Sequence, residues 1–141
     1  MTNPEQLTCL SILICDDIFR DDRTRKLVIV GTFNYINAAR FPCRHPRMRI
    51  LITLTNGRGR YELKLSIRHA ATDQPLLEMR GDASFKDPTQ IVDIDMEIRD
   101  LQFPEPGKYW VVLEADDQII QQRPFVVTQA RETGPPQAKS D

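Results

Sequence analysis

"FPEPGKYWVVLEADDQII", residues 103–120, carries the reading of the fold. Two prolines and a glycine precede a run in which every second residue is apolar. Tyr109, Val111 and Leu113 share one face of that run, and Trp110 and Val112 share the other. Alternation of period two is the mark of a β-strand. The stretch "ADDQ" (115–118) then supplies the polar residues of a tight reversal into a further strand. A chain that crosses between two sheets leaves backbone groups unpaired, and a buried phenol hydroxyl can satisfy one of them. Pro104 and Pro106 stiffen such a crossing, and Gly107 permits a sharp entry into the strand.

The same signal repeats along the chain. Strands are predicted over 10–15, 26–36, 47–55, 61–69, 76–85, 91–98, 107–115 and 118–127. They are rich in Val, Ile, Leu, Phe and Tyr, which suit a pleated surface. "NGRG" (56–59), "TDQP" (72–75) and "KDPT" (86–89) provide turns between them. No window keeps a long helical stripe, and a single turn over 17–24 is the one helical candidate. Short strands at intervals of about 8–12 residues predict a sandwich or barrel rather than βαβ units. Placing Tyr109 at the start of a late strand, after a crossing that ends in Gly107, resembles the tyrosine corner of immunoglobulin-like sandwiches. The expected fold is therefore all-β, an immunoglobulin-like antiparallel β-sandwich of about eight strands. The domain is expected over 10–128, with a flexible N-terminus (1–9) and a disordered, proline-containing tail (129–141).

Some strands have one wet face. In 61–69, Tyr61, Leu63, Leu65 and Ile67 oppose Glu62, Lys64, Ser66 and Arg68. Others are apolar on both faces. Leu27, Ile29, Phe33 and Tyr35 oppose Val28, Val30 and Ile36, and Trp110 and Val112 lie behind Tyr109. A second dry face needs a cover, supplied by the chain itself or by a partner. Trp110, Val112, Val28 and Val30 are the candidate partner-binding residues on that ground. Pro124 lies inside the last strand, cannot donate to a ladder, and so predicts an edge there.

"ILICDDI" (12–18), "KLVIVGTFNYI" (26–36), "FPCRHPRMRILITLT" (41–55) and "FPEPGKYWVVLEADDQII" together resemble a family of small uncharacterised bacterial all-β proteins. That family shows an LxCDDI start and a late FPxPGxY corner. The resemblance spans most of 10–127. It implies a bacterial origin and an all-β domain, and it supplies no chemistry and no functional residues.

The 141 residues suit one domain with a core of its own. The net charge of −1 favours neither nucleic acid nor an anionic membrane. No apolar run is long enough to span a membrane, and "MTNPEQLTC" lacks the basic-then-apolar pattern of a secretory signal. Three cysteines (Cys9, Cys15, Cys43) make an odd count, as expected of reduced thiols in a cytoplasmic protein.

Candidate chemistry is sparse. The pairs Asp16–Asp17, Asp21–Asp22, Asp93/Asp95 and Asp116–Asp117 suggest a C2-like calcium or lipid-binding module, which would need converging loop carboxylates. Asp93 and Asp95 alternate with Ile94 and Met96, as on a solvated strand face. Cys43 and His45 match no common zinc spacing and pair with no evident nucleophile partner. Arg40, Arg44, Arg47 and Arg49 make the stretch 40–49 a candidate loop for an anionic partner, without the aromatics that nucleic acid would require. No catalytic, cofactor or metal residue is assigned. The expected function is non-enzymatic: a small interaction or adaptor module that takes a protein partner or a second copy of itself.

Overall fold

The computed structural model describes residues 6–130. These residues form nine strands: β1 (Thr8–Arg20), β2 (Leu27–Thr32), β3 (Tyr35–Ala38), β4 (Cys43–Thr55), β5 (Gly59–His69), β6 (Pro75–Phe85), β7 (Val92–Phe103), β8 (Gly107–Ala115) and β9 (Gln118–Gln129). They make two sheets, one ordered β2-β1-β4-β7 and the other β3-β9-β8-β5-β6. The chain is thus all-β, and the described residues contain no helix. The helical turn expected over 17–24 is replaced by the end of β1 and a tight turn, in which Arg25 takes a positive φ of 63°.

Nine strands replace the expected eight because the run 26–36 breaks. β2 pairs with β1 in the first sheet, and β3 pairs with β9 in the second. Phe33 and Asn34 carry the chain across between the sheets. The Phe33 N–H still donates to the Ile14 carbonyl (3.0 Å), while the Asn34 carbonyl already accepts from the Val126 N–H (3.0 Å) on β9. Gly31, at φ +66°, turns the backbone just before this step. The β3–β9 pair is parallel, an exception to the antiparallel expectation. All other neighbouring strands are antiparallel.

One core joins the two sheets. Ile12, Ile14, Met48, Ile50, Ile52 and Leu54 from the first pack against Leu63, Leu65, Ile67, Tyr109, Val111 and Leu113 from the second. Burying that apolar area is the main driving force for the fold. Between β4 and β5, Asn56 in the loop and Gly59 at the start of β5 take the positive φ angles, 66° and 74°. Gly57 is needed for space instead, because a Cβ there would stand 2.4 Å from the Phe85 ring.

Two prolines sit where ladder hydrogen bonds are not required. Pro46 lies in a part of β4 that pairs with β7 alone. Pro124 lies in β9 beyond the reach of β3, which pairs only with Val126–Gln129. At Pro124, therefore, β9 is an open edge, as the proline implied. β1 begins at Thr8 and Leu7 is buried, inside the segment 1–9 read as flexible. Residues 1–5 of that segment, and 131–141 of the tail, lie outside the described residues.

Candidate functional site

The Tyr109 corner is architecture. The tyrosine is fully buried, and its hydroxyl donates to the Glu105 carbonyl at 2.5 Å. Its ring meets Phe103 edge-on at 5.0 Å, stacks on Phe125 at 5.8 Å and touches His69 at 4.7 Å. His69 Nδ1 accepts from the Ala71 N–H (3.0 Å), so the neutral ring carries its proton on Nε2. That nitrogen lies 2.9 Å from Glu105 Oε1 without the alignment of a hydrogen bond. Burial pushes the Tyr109 phenol above its ordinary ionisation range. The buried polar groups of Tyr109 and His69 thus turn to their own chain, and the Glu105 side chain is exposed.

The proposed partner residues are divided between the sheets. Trp110 and Val112 are on the outer face of the second sheet. Val112 is buried there, its cross-strand neighbours being Ser66 and Gln122. Lys64 bridges Glu114 (3.3 Å) and Glu78 (3.8 Å), and Arg68 reaches Glu78 (3.7 Å). Lys108 stands over the half-buried Trp110 ring at 5.2 Å. Long side-chain stems thus cover this face. Val28 and Val30 belong to β2, in the other sheet, so the four residues form no common patch.

The arginines expected in a loop lie mostly on β4. Arg47 donates to Glu97 (2.5 Å) and Asp17 (2.9 Å), and Arg49 pairs with Asp95 and reaches Asp17 at 3.7 Å. Arg44 lies 3.8 Å from Asp100 with both side chains exposed, and Arg40 is exposed before the strand. Hydrogen bonds from Arg47 and Arg99 hold Glu97 below the usual carboxylate range. The result is a ladder of alternating charge and not a basic patch. Asp93 accepts from the Thr53 hydroxyl (2.7 Å), and Asp116 accepts from the Glu62 N–H (2.9 Å). Among the described residues no three His, Cys, Asp or Glu side chains converge as metal ligands would. All three cysteines are free, and burial raises each thiol above its ordinary range.

What remains open is the β1–β2 arm. Beyond Cys15, β1 leaves β4 and pairs with β2 alone. One face of this arm folds back on its own sheet. Ile18, Leu27 and Ile29 cover Cys15, Leu13 and Leu51, so part of the expected cover is internal. The opposite face holds Phe19 beside Val28, then Asp17 beside Val30. Phe19 is 51% exposed and Val30 45%. A shallow groove of about 160 Å³ runs alongside, floored by Ile18, Leu27 and Leu51 and rimmed by Phe19, Arg20, Asp93 and Asp95. Among the described residues the outer edge of β2 has no strand partner. The alternation that marked residues 26–36 as dry on both sides pointed to this arm. The break at Phe33, which isolates β2 at an edge, had Gly31 as its one local signal.

These features define an all-β, two-sheet domain with a structural tyrosine corner and an apolar open edge. Residues 10–128 match the family of unknown function DUF6941, and the chain belongs to that family. No curated protein matches it in sequence. Among solved structures it is similar to a β-glucosidase from Listeria innocua in complex with isofagomine, at 10% identity and a TM-score of 0.49 over 87% of this chain. It is also similar to a β-glucosidase from Kluyveromyces marxianus, at 11% identity and a TM-score of 0.42 over 73% of this chain. The chain spans only 16% of each of those enzymes. Among the described residues no helix is long and apolar enough to cross a membrane.

Proposed function

We propose that this domain is an immunoglobulin-like, non-enzymatic interaction module that binds a protein through the edge of its β1–β2 arm. Two features support the immunoglobulin-like reading. The second sheet runs β6-β5-β8-β9-β3, with an early strand, β3, lying parallel to the last one. A tyrosine corner marks the crossing from β7 to β8, as at the E–F corner of such sandwiches.

One observation carries the interaction reading: Phe19, Val28 and Val30 form an apolar strip along a strand edge that nothing pairs among the described residues. Strand addition to an open sheet edge is a standard recognition mode, in which main-chain hydrogen bonds give affinity and alternate side chains give specificity. A photo-crosslinking residue at position 30, introduced in the native host cell, tests this. A discrete adduct is expected there, and none from position 91, which is more exposed still, on the loop before β7. No adduct at 30, or the same adducts from both positions, refutes the reading.

A further inference from the structure

The edges of the two sheets are not alike. Exposed strand edges invite association, and soluble proteins blunt them with charges, prolines or short strands. β7 presents Asp93, Asp95, Glu97 and Arg99 along its length. The open part of β9 holds Pro124 and an inward-pointing Arg123, and β3 is only four residues long. β6 carries Arg80 and Asp82 on its wet face. β2, "LVIVGT", has no charge and no proline.

Charge on the arm is polarised along its length. The tip of the arm, residues 20–26, bears Arg20, Arg23, Arg25 and Lys26 against Asp21 and Asp22, four cations to two carboxylates, and the side chains of Arg23, Arg25 and Lys26 make no ion pair among the described residues. The base of the arm bears Asp16, also without an ion pair, packed against Gly31. An antiparallel copy of the same arm would lay each basic tip over the other's acidic base. A parallel copy would set like charges together, so charge selects the two-fold arrangement.

Backbone geometry fits the same arrangement. The Asp21 N–H donates to the Lys26 carbonyl (2.8 Å), which fixes the alternation along the arm. Val28 and Val30 then turn their backbone groups toward β1, while Leu27 and Ile29 turn theirs outward. In a two-fold pairing centred on Ile29, Val28 faces Val30 of the second copy, and the two Phe19–Val28–Val30 strips become one.

We infer that β2 is a homodimerisation edge: two copies of this chain pair antiparallel through β2 and merge their four-stranded sheets into one. This rests on the interaction reading above and names the partner as a second copy. Light scattering over a range of concentrations should show the mass rising from 16.3 kDa toward twice that value. Val30→Lys should weaken association by about tenfold or more, since it must desolvate a lysine against Val28 of the second copy while its cross-strand neighbour Asp17 is already paired with Arg47. Val30 is solvent-exposed in the monomer, so the variant should keep its melting temperature at low concentration. Asp16→Lys and Lys26→Glu should each weaken the dimer, and the double variant should regain it. A monomer at every concentration, or a dimer indifferent to all of these changes, overturns the inference. If the chain stays monomeric while position 30 still crosslinks to another protein, self-pairing fails and the interaction reading stands. If both signals are missing, both readings fail.

Discussion

Replacing Tyr109 by Phe removes one atom from the middle of the fold. The hydroxyl that donates to the Glu105 carbonyl at 2.5 Å is lost, while the contacts with Phe103, Phe125 and His69 remain. An acceptor left unpaired in a buried site costs about 1–3 kcal/mol. Glu105 is itself exposed, so its carbonyl can recover some hydration, and the lower half of that range, about 1–2 kcal/mol, applies. For a domain of this size the loss corresponds to a fall in melting temperature of about 4–8 °C. Tyr109→Ala also empties the site of a fully buried ring and should cost about 3–5 kcal/mol, or prevent folding. Urea unfolding followed by Trp110 fluorescence would measure both. Tyr109→Phe should shift the midpoint without changing the slope. A variant as stable as the parent would refute the role given to the hydroxyl. One as unstable as Tyr109→Ala would refute the separation of hydroxyl from ring.

Other expectations follow from single contacts. Burial raises the Tyr109 phenol in the folded state, so the unfolded chain ionises first. Stability should therefore be intact below about pH 10 and fall above it, and Tyr109→Phe should flatten that alkaline decline in pH-dependent melts. Gly57→Ala pushes a methyl group into the Phe85 ring and should cost about 1–3 kcal/mol by thermal unfolding; a neutral result would show that the ring moves freely. Cys15 is fully buried with a raised thiol, so iodoacetamide should modify it only as fast as the protein opens, as read by mass spectrometry. Modification of Cys15 as fast as half-buried Cys9 would contradict its place under the β1–β2 arm.

Much of the fold was legible because period-two alternation reports burial directly. β5 and β8 lie where the pattern put them, and Tyr109 closes the corner that Pro104, Pro106 and Gly107 announced. What failed was tertiary. Gly31 marks a bend but not a change of sheet at Phe33–Asn34, because that step depends on β9 offering the Val126 N–H to the Asn34 carbonyl. β4 starts at Cys43, ahead of its expected start, because Pro46 falls where only one neighbour pairs. The candidate surface was half legible. Val28 and Val30 were marked by an apolar second face. Trp110 and Val112 carried the same mark, but the stems of Lys64, Arg68 and Lys108 cover them, and such cover depends on which strands are neighbours.

Residue-resolved amide exchange at several protein concentrations tests most directly whether the β2 edge is where this domain associates. The amides of Leu27 and Ile29 should exchange freely at high dilution and become protected as concentration rises, while those of β8 stay protected throughout. Protection at Leu27 and Ile29 that never changes with concentration, in the absence of any other binding protein, would contradict pairing at that edge.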